Sequence, residues 1–171
     1  MIRKQIIFQV EDKSEISYNY QHEILKNFYN LTKVADENKA KILHNKGYRL
    51  ESGHIFKLIN FTLLFENAIF TENNIVLTES TVIKLIMSGK KENIELFLKG
   101  LIVEQQMVIE DVILKFVGVI DDKKVFFKEV MLYKALSPII TTTKENLEKV
   151  YLDPYQLQYY ENLALNAKRN Y

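Results

Sequence analysis

Three side chains that can transfer protons or carry positive charge lie close together in residues 42–65, ILHNKGYRLESGHIFKLINFTLLF: His44, His54 and Lys57. An imidazole can give or take a proton near neutral pH, and a lysine can stabilise negative charge that develops during a reaction. Positive charge clearly outweighs negative charge in this segment, so it is the first candidate for a functional site.

Composition excludes several classes of protein. The chain of 171 residues has no cysteine, which rules out disulfides and thiolate metal sites and fits the cytosol. Its formal net charge of +1 gives no overall electrostatic signature of a nucleic-acid binder, so any polyanion site must be local. It contains no apolar run of membrane-spanning length, and no glycine pattern for a dinucleotide or triphosphate. Its carboxylates do not pair at a spacing suited to a metal site. From these absences taken together we expect no metal, no cofactor and no membrane partner.

The first third of the chain predicts a strand and two helices. Residues 2–10 alternate around IIF, which is typical of a strand. Residues 18–34 place an apolar residue every third or fourth position, which predicts a helix whose central stripe excludes Tyr29. Asp36 can cap a second helix that ends at Asn45. His44 lies in its last turn, where the helix dipole favours the protonated imidazole and should raise its pKa.

The following residues predict the remaining elements of one domain: a strand at 56–65, a hairpin at 67–79, a strand at 82–87, a helix at 92–104, and strands at 106–120 and 125–133. Without the hairpin excursions, and with the first two helices counted as one layer, the order is β-α-β-β-α-β, the ferredoxin-like plan of the α+β class. This predicts an antiparallel sheet, with both helices on one face, as a domain of residues 1–136.

Residues 137–171 are predicted to be a linker and the first helix of a second, truncated ferredoxin-like domain. Residues 139–149 are rich in β-formers and then in charge, and we interpret them as a connection. Asp153 and Pro154 are typical of a helix start, as the cap and the first helical residue. The helix that follows is apolar enough to bury one face, including its tyrosines Tyr155, Tyr159 and Tyr160.

Several motifs occur in an order that resembles a known family. The chain carries IIF in its first strand, FYNL at the end of the first helix, ILHNKGY before FKLINFTLLF, and ALSPIITT before DPYQLQYYENLALNAKRNY. This order, from residue 1 to 171, resembles the CRISPR-associated repeat-processing endoribonucleases of the RAMP superfamily. No single motif is diagnostic, but their order and spacing together are fairly specific.

The resemblance implies metal-free cleavage of CRISPR repeat RNA (pre-crRNA) by attack of a 2′-hydroxyl on the adjacent phosphate, which leaves a 2′,3′-cyclic phosphate. Matching the motifs implies a catalytic centre of His44, Tyr29 and Lys57. It also implies that positive groups around them hold RNA phosphates, and these candidates are Lys41, Lys46, Arg49 and His54.

Other interpretations stay open. His44 can be a capping or core histidine, Tyr29 a packing residue, and Lys57 a strand-edge lysine. The family has a glycine-rich loop near its C-terminus, whereas this sequence has no glycine after Gly118, so we expect a reduced or truncated member. Such a chain could bind repeat RNA, or dock in a CRISPR effector assembly, without cutting. A third alternative is an unrelated ferredoxin-like module that forms a homodimer.

Overall fold

The computed structural model of the chain describes residues 2–45, 48–49, 55–56, 59–121, 142–145 and 148–169. The chain divides into two compact units, Met1–Phe126 and Phe127–Tyr171. The domain boundary predicted between residues 136 and 137 lies outside the described residues and stays a prediction, as do the strand predicted at 125–133 and the SPI junction.

The elements of the first unit are, in chain order, β1 (Ile2–Gln9), β2 (Ser14–Ser17), α1 (Gln21–Ala35), α2 (Glu37–Asn45), β3 (Tyr48–Arg49), β4 (Ile55–Phe56), β5 (Ile59–Glu66), β6 (Ile69–Phe70), β7 (Asn74–Leu77), β8 (Val82–Gly89), α3 (Lys91–Glu104), β9 (Gln106–Ile109) and β10 (Val112–Asp121). Those of the second unit are β11 (Thr142–Glu145), β12 (Glu148–Tyr151) and α4 (Leu157–Arg169).

The main sheet has five strands in the order β5-β8-β1-β10-β9, and every neighbouring pair is antiparallel. In order of appearance, β1, β5, β8 and β10 are the four strands of a βαββαβ unit, with α1 after the first strand and α3 after the third. Their spatial order, second-third-first-fourth, is that of the ferredoxin-like plan, so the predicted fold class is confirmed. A second, three-stranded sheet, β2-β7-β6, contains the predicted hairpin.

Both long helices contribute to one core. Phe28 of α1 stacks on Phe97 of α3, with ring centroids 5.5 Å apart and an interplanar angle of 15°. The same cluster of buried side chains contains Ile6 and Phe8 of β1, together with Leu85 of β8. Because the side chains of a strand alternate between faces, this shared core supports the prediction that α1 and α3 cover one face of the sheet.

The close approach of α1 explains why Gly100, a poor helix former, lies inside α3. A Cβ atom built at this position would lie 1.8 Å from the carbonyl oxygen of Leu31 in α1. No side chain fits there, since the obstacle is backbone that belongs to the neighbouring helix. Glycine inside a helix costs about 1 kcal/mol relative to alanine. At Gly100 the missing side chain lets α3 cross closely over α1, the helix that carries Tyr29.

Two predictions for the first unit are corrected. The strand predicted at residues 106–120 is a hairpin, since β9 turns back into β10 at Glu110 and Asp111. Glu110 has a φ of 54°, a left-handed conformation that reverses the chain without glycine. Residues 11–15 are interpreted from the sequence as the exit from the first strand, but Ser14 and Glu15 begin β2, which pairs with β7.

The second unit also differs from the prediction. Residues 139–149 are interpreted from the sequence as a connection, but this region contains β11 and the start of β12, which pair as antiparallel strands. Asp153 does cap the next element, because its Oδ1 accepts a hydrogen bond of 2.8 Å from the backbone N–H of Tyr155, but the helix itself begins only at Leu157. Tyr159 is buried as predicted, whereas Tyr155 and Tyr160 are exposed, so the predicted burial of this face is wrong for these two tyrosines.

Candidate functional site

Tyr29 lies on α1, beside the stripe that the helix buries. Ile24, Phe28 and Leu31 are buried in the core, and the Tyr29 ring meets that of Phe28 edge to face at 5.6 Å. The ring is partly buried against the core, and its hydroxyl oxygen is buried as well. The sequence places Tyr29 off the centre of the stripe, and the structure adds that its hydroxyl lies beneath the surface.

A side-chain amide fastens α1 to the edge of the main sheet. Asn27 Nδ2 donates a hydrogen bond of 2.5 Å to the carbonyl oxygen of Val108, and its Oδ1 accepts one of 3.2 Å from the Val108 N–H. Val108 lies on β9, which among the described strands has a neighbour on one side only. Asn27 therefore pairs with the open edge as another strand would, and it fixes the position of α1 two residues before Tyr29.

The second helix begins as predicted. Asp36 Oδ1 accepts a hydrogen bond of 3.0 Å from the backbone N–H of Lys39, which satisfies one of the free donors at the start of α2. Ala40 and Leu43 are buried, so this side of α2 packs inward, and α2 contacts α1. His44 is the penultimate residue of α2, in its last turn as predicted; its side chain is outside the described part of the structure.

The basic segment after α2 is described only in part. Tyr48 pairs with Phe56, and Arg49 with Ile55, as the short antiparallel ladder β3–β4. The sequence of residues 46–54 is typical of a turn-rich basic loop, whereas Arg49 lies on a strand. The side chain of Arg49 lies outside the described residues. Three further candidates lie outside them altogether: Lys46, His54 and Lys57.

Lys41 is the candidate whose electrostatics can be described most fully. It is exposed on α2, and its Nζ lies 3.2 Å from Glu37 Oε1, while Lys33 Nζ of α1 lies 3.9 Å from the same oxygen. The hydrogen bond and positive charge of Lys41, and then the charge of Lys33, hold the pKa of the Glu37 carboxyl below its usual value. Two cations thus flank one ionised carboxylate where α1 meets α2.

The structure brings three of the proposed site residues onto two contacting helices, namely Tyr29 on α1, and Lys41 and His44 on α2. The grouping of His44, Tyr29 and Lys57 into one catalytic centre stays a prediction. Sequence reasoning missed Lys26 and Lys33, although their spacing from Tyr29 in a predicted helix was visible. It also missed Asn27, because no sequence pattern indicates which strand edge a side-chain amide will meet.

Within the described ranges, no three His, Cys, Asp or Glu side chains are grouped so that they could hold a metal ion. No helix among these residues is both long and apolar enough to cross a membrane.

In sequence, the chain resembles a curated CRISPR protein. It is 27% identical over 177 aligned positions to CRISPR-associated endoribonuclease Cas6 1 of Methanocaldococcus jannaschii. The match covers 99% of this chain and 65% of the relative, so the chain spans about two thirds of that protein's length. No protein-family model matches the chain.

Solved structures show the same fold. A CRISPR-associated protein Cas6 superposes with a TM-score of 0.69 at 24% identity, covering 99% of this chain and 70% of its own. A Cas6-related protein of Pyrococcus furiosus superposes with a TM-score of 0.73 at 21% identity, covering 95% of this chain and 66% of its own. A RAMP protein that binds different RNA substrates superposes with a TM-score of 0.71 at 16% identity, covering 95% of this chain and 67% of its own. Together with the sequence match, they confirm the resemblance predicted from the motif order.

Proposed function

We propose that this Cas6-like chain of the RAMP superfamily is an endoribonuclease of CRISPR RNA processing, which cleaves repeat RNA without a metal ion. The observation that carries the proposal is the sequence match to a Cas6 endoribonuclease along 99% of the chain. The RAMP fold of the first unit and the position of His44 at the end of α2 are consistent with it.

The proposed reaction is an internal transfer at one phosphate. The 2′-oxygen attacks the adjacent phosphorus, its proton passes to a base, and the bond from phosphorus to the 5′-oxygen breaks. The leaving 5′-oxygen takes up a proton, so the products are a 2′,3′-cyclic phosphate and a 5′-hydroxyl. The proposal assigns the two proton transfers to His44 and Tyr29, and the stabilisation of the crowded phosphate to Lys57.

The proposed RNA contacts lie around this centre. Lys41 is available at the surface of α2, because its partner Glu37 is itself exposed and the pair is worth little in water. Lys46, Arg49 and His54 are proposed to act with Lys41 as point contacts to phosphates.

Replacing His44 tests the catalytic part of the proposal. His44→Ala should lower the rate of repeat cleavage by about 10²–10⁴-fold, the usual contribution of a positioned proton-transfer group. Tyr29→Phe is the matching change on α1, because it keeps the ring that packs on Phe28 and removes only the hydroxyl. Asn38→Ala is the control, since it alters an exposed side chain of the same helix. Circular dichroism would establish that each variant keeps its fold.

The outcomes separate cutting from binding. The proposal expects cleavage by the wild-type chain in EDTA and its loss in His44→Ala. Undiminished cleavage by His44→Ala, or loss of wild-type cleavage in EDTA, would contradict it. If the wild-type chain shifts the repeat RNA in a gel but never cuts it, the alternative of a non-catalytic RNA-binding or effector-assembly subunit replaces it.

A further inference from the structure

One face of α1 carries a row of basic and aromatic residues. His22, Lys26, Tyr29 and Lys33 are spaced by four, three and four residues, and α1 contains all of them. At about 100° per residue they fall within a sector of roughly 60°, and at about 1.5 Å per residue the row is roughly 16 Å long. His22, Lys26 and Lys33 are exposed, and we call this row the α1 stripe.

Within the described residues, the lysines of the α1 stripe have partly exposed carboxylates as their ion-pair partners. Lys26 Nζ lies 3.2 Å from Glu23 Oε2, one helical turn away, and Lys33 Nζ lies 3.9 Å from Glu37 Oε1. The lysine side chains are 59% and 63% exposed. Exposed ion pairs of this kind contribute little free energy, so a phosphate group can replace the carboxylate at small cost.

The α1 stripe continues onto α2, and positive charge exceeds negative charge where the two helices meet. Glu37 lies within 4 Å of both Lys33 and Lys41, so one carboxylate is shared by two cations. Glu37 is ionised at neutral pH, and the two lysines lower the pKa of its carboxyl further, so it competes with an incoming phosphate for both lysines. The corner between the two helices therefore carries one unbalanced positive charge, beside the helix that holds Tyr29.

We propose that the α1 stripe and Lys41 form a track for the backbone of a single RNA strand that passes Tyr29. The inference rests on the proposed function, and it adds Lys26 and Lys33 as phosphate contacts that position the strand. Two lysines seven residues apart on one face of a helix, with Lys41 on the contacting helix, suit a polymer with regular negative charge. Positive side chains along a surface can follow the backbone of single-stranded RNA, and the affinity then depends on salt.

Measuring RNA affinity against salt concentration tests the track. In K26Q/K33Q, two phosphate contacts are lost, so the slope of log K against log salt should become shallower by about 1.4, at about 0.7 per phosphate of a single strand. Fluorescence anisotropy with the cognate single-stranded repeat gives this slope.

K91Q/K99Q is the matched control. It removes the same charge from exposed lysines of α3, and Lys91 has a comparable partner, Glu95, at 3.7 Å. This control should keep the wild-type affinity and slope. An equal loss of RNA affinity in both double variants would show that the effect comes from the overall charge of the chain, and would contradict the track.

Glu37→Gln provides a test of opposite sign. It removes the carboxylate that competes for Lys33 and Lys41, so repeat RNA should bind several-fold more tightly and with a steeper salt slope. Weaker or unchanged binding would contradict the inference.

Failure of the track is distinguishable from failure of the proposed function. If the wild-type chain neither binds nor cuts repeat RNA, the proposed function fails and the track with it. If the wild-type chain binds RNA and K26Q/K33Q matches it in affinity and slope, only the track fails. Retained RNA binding by K26Q/K33Q together with loss of an acidic protein partner would assign the α1 stripe to that partner instead.

Discussion

Gly100→Ala tests the helix crossing that positions Tyr29. The new Cβ would lie 1.8 Å from the Leu31 carbonyl oxygen, far inside any real carbon–oxygen contact, so α1 or α3 must shift. Alanine should gain about 1 kcal/mol of helix propensity, but overpacking of this kind typically costs about 1–3 kcal/mol, and more where backbone is the obstacle. We therefore expect a net loss of about 1–2 kcal/mol in the free energy of unfolding.

Urea unfolding followed by circular dichroism measures this difference, and the chain provides its own control. A Cβ at Gly118, in β10, would meet no atom within 4 Å. Gly118→Ala should therefore be neutral, or stabilising by up to about 1 kcal/mol, through the reduced freedom of the unfolded chain. Equal or greater stability of Gly100→Ala relative to the wild-type chain would refute the close crossing of α1 and α3.

Two further changes probe the surroundings of α1. Asn27→Ala should lower the free energy of unfolding by about 1 kcal/mol, since Val108 loses both of its hydrogen bonds to the amide. Asn30→Ala, at an exposed position one turn further along α1, should change the free energy of unfolding little. An equal effect of both substitutions would contradict the role of Asn27 in holding α1 against β9. Burial raises the pKa of the Tyr20 hydroxyl above its usual value near 10. The folded state then holds this proton more tightly than the unfolded state, so stability falls as the pH rises past 10, and thermal melts from pH 9 to 11 should fall less steeply for Tyr20→Phe.

The architecture of the first unit could be predicted because the spacing of apolar residues within each short segment indicates a helix or a strand. The apolar period of α1 and the alternation in β1 and β8 each indicate an element without knowledge of the fold, and their order then selects the ferredoxin-like plan. The turn at Glu110 could not be predicted in this way, because the apolar alternation continues on both sides of it and no glycine or proline marks it. The strand β2 was missed because four polar-rich residues acquire their extended form only by pairing with β7.

The candidate site was predicted less completely, for a different physical reason. Asp36 acts as a cap through its own backbone neighbours, so its role follows from sequence alone. The link from Asn27 to Val108 joins residues 81 positions apart, and the crossing at Gly100 depends on a carbonyl of another helix. Such tertiary contacts leave no trace in the spacing of residues along the chain.

The most direct test of the central claim uses a modified RNA. The cleavage site is first mapped on the cognate repeat, and the same RNA is then made with a 2′-deoxy sugar at the nucleotide whose 2′-oxygen is proposed to attack. In EDTA, the wild-type chain should bind both RNAs equally, cut the unmodified RNA to a 2′,3′-cyclic phosphate, and leave the modified RNA intact. Cleavage of the 2′-deoxy RNA at the mapped site would contradict attack by the 2′-hydroxyl, and with it the mechanism proposed for His44.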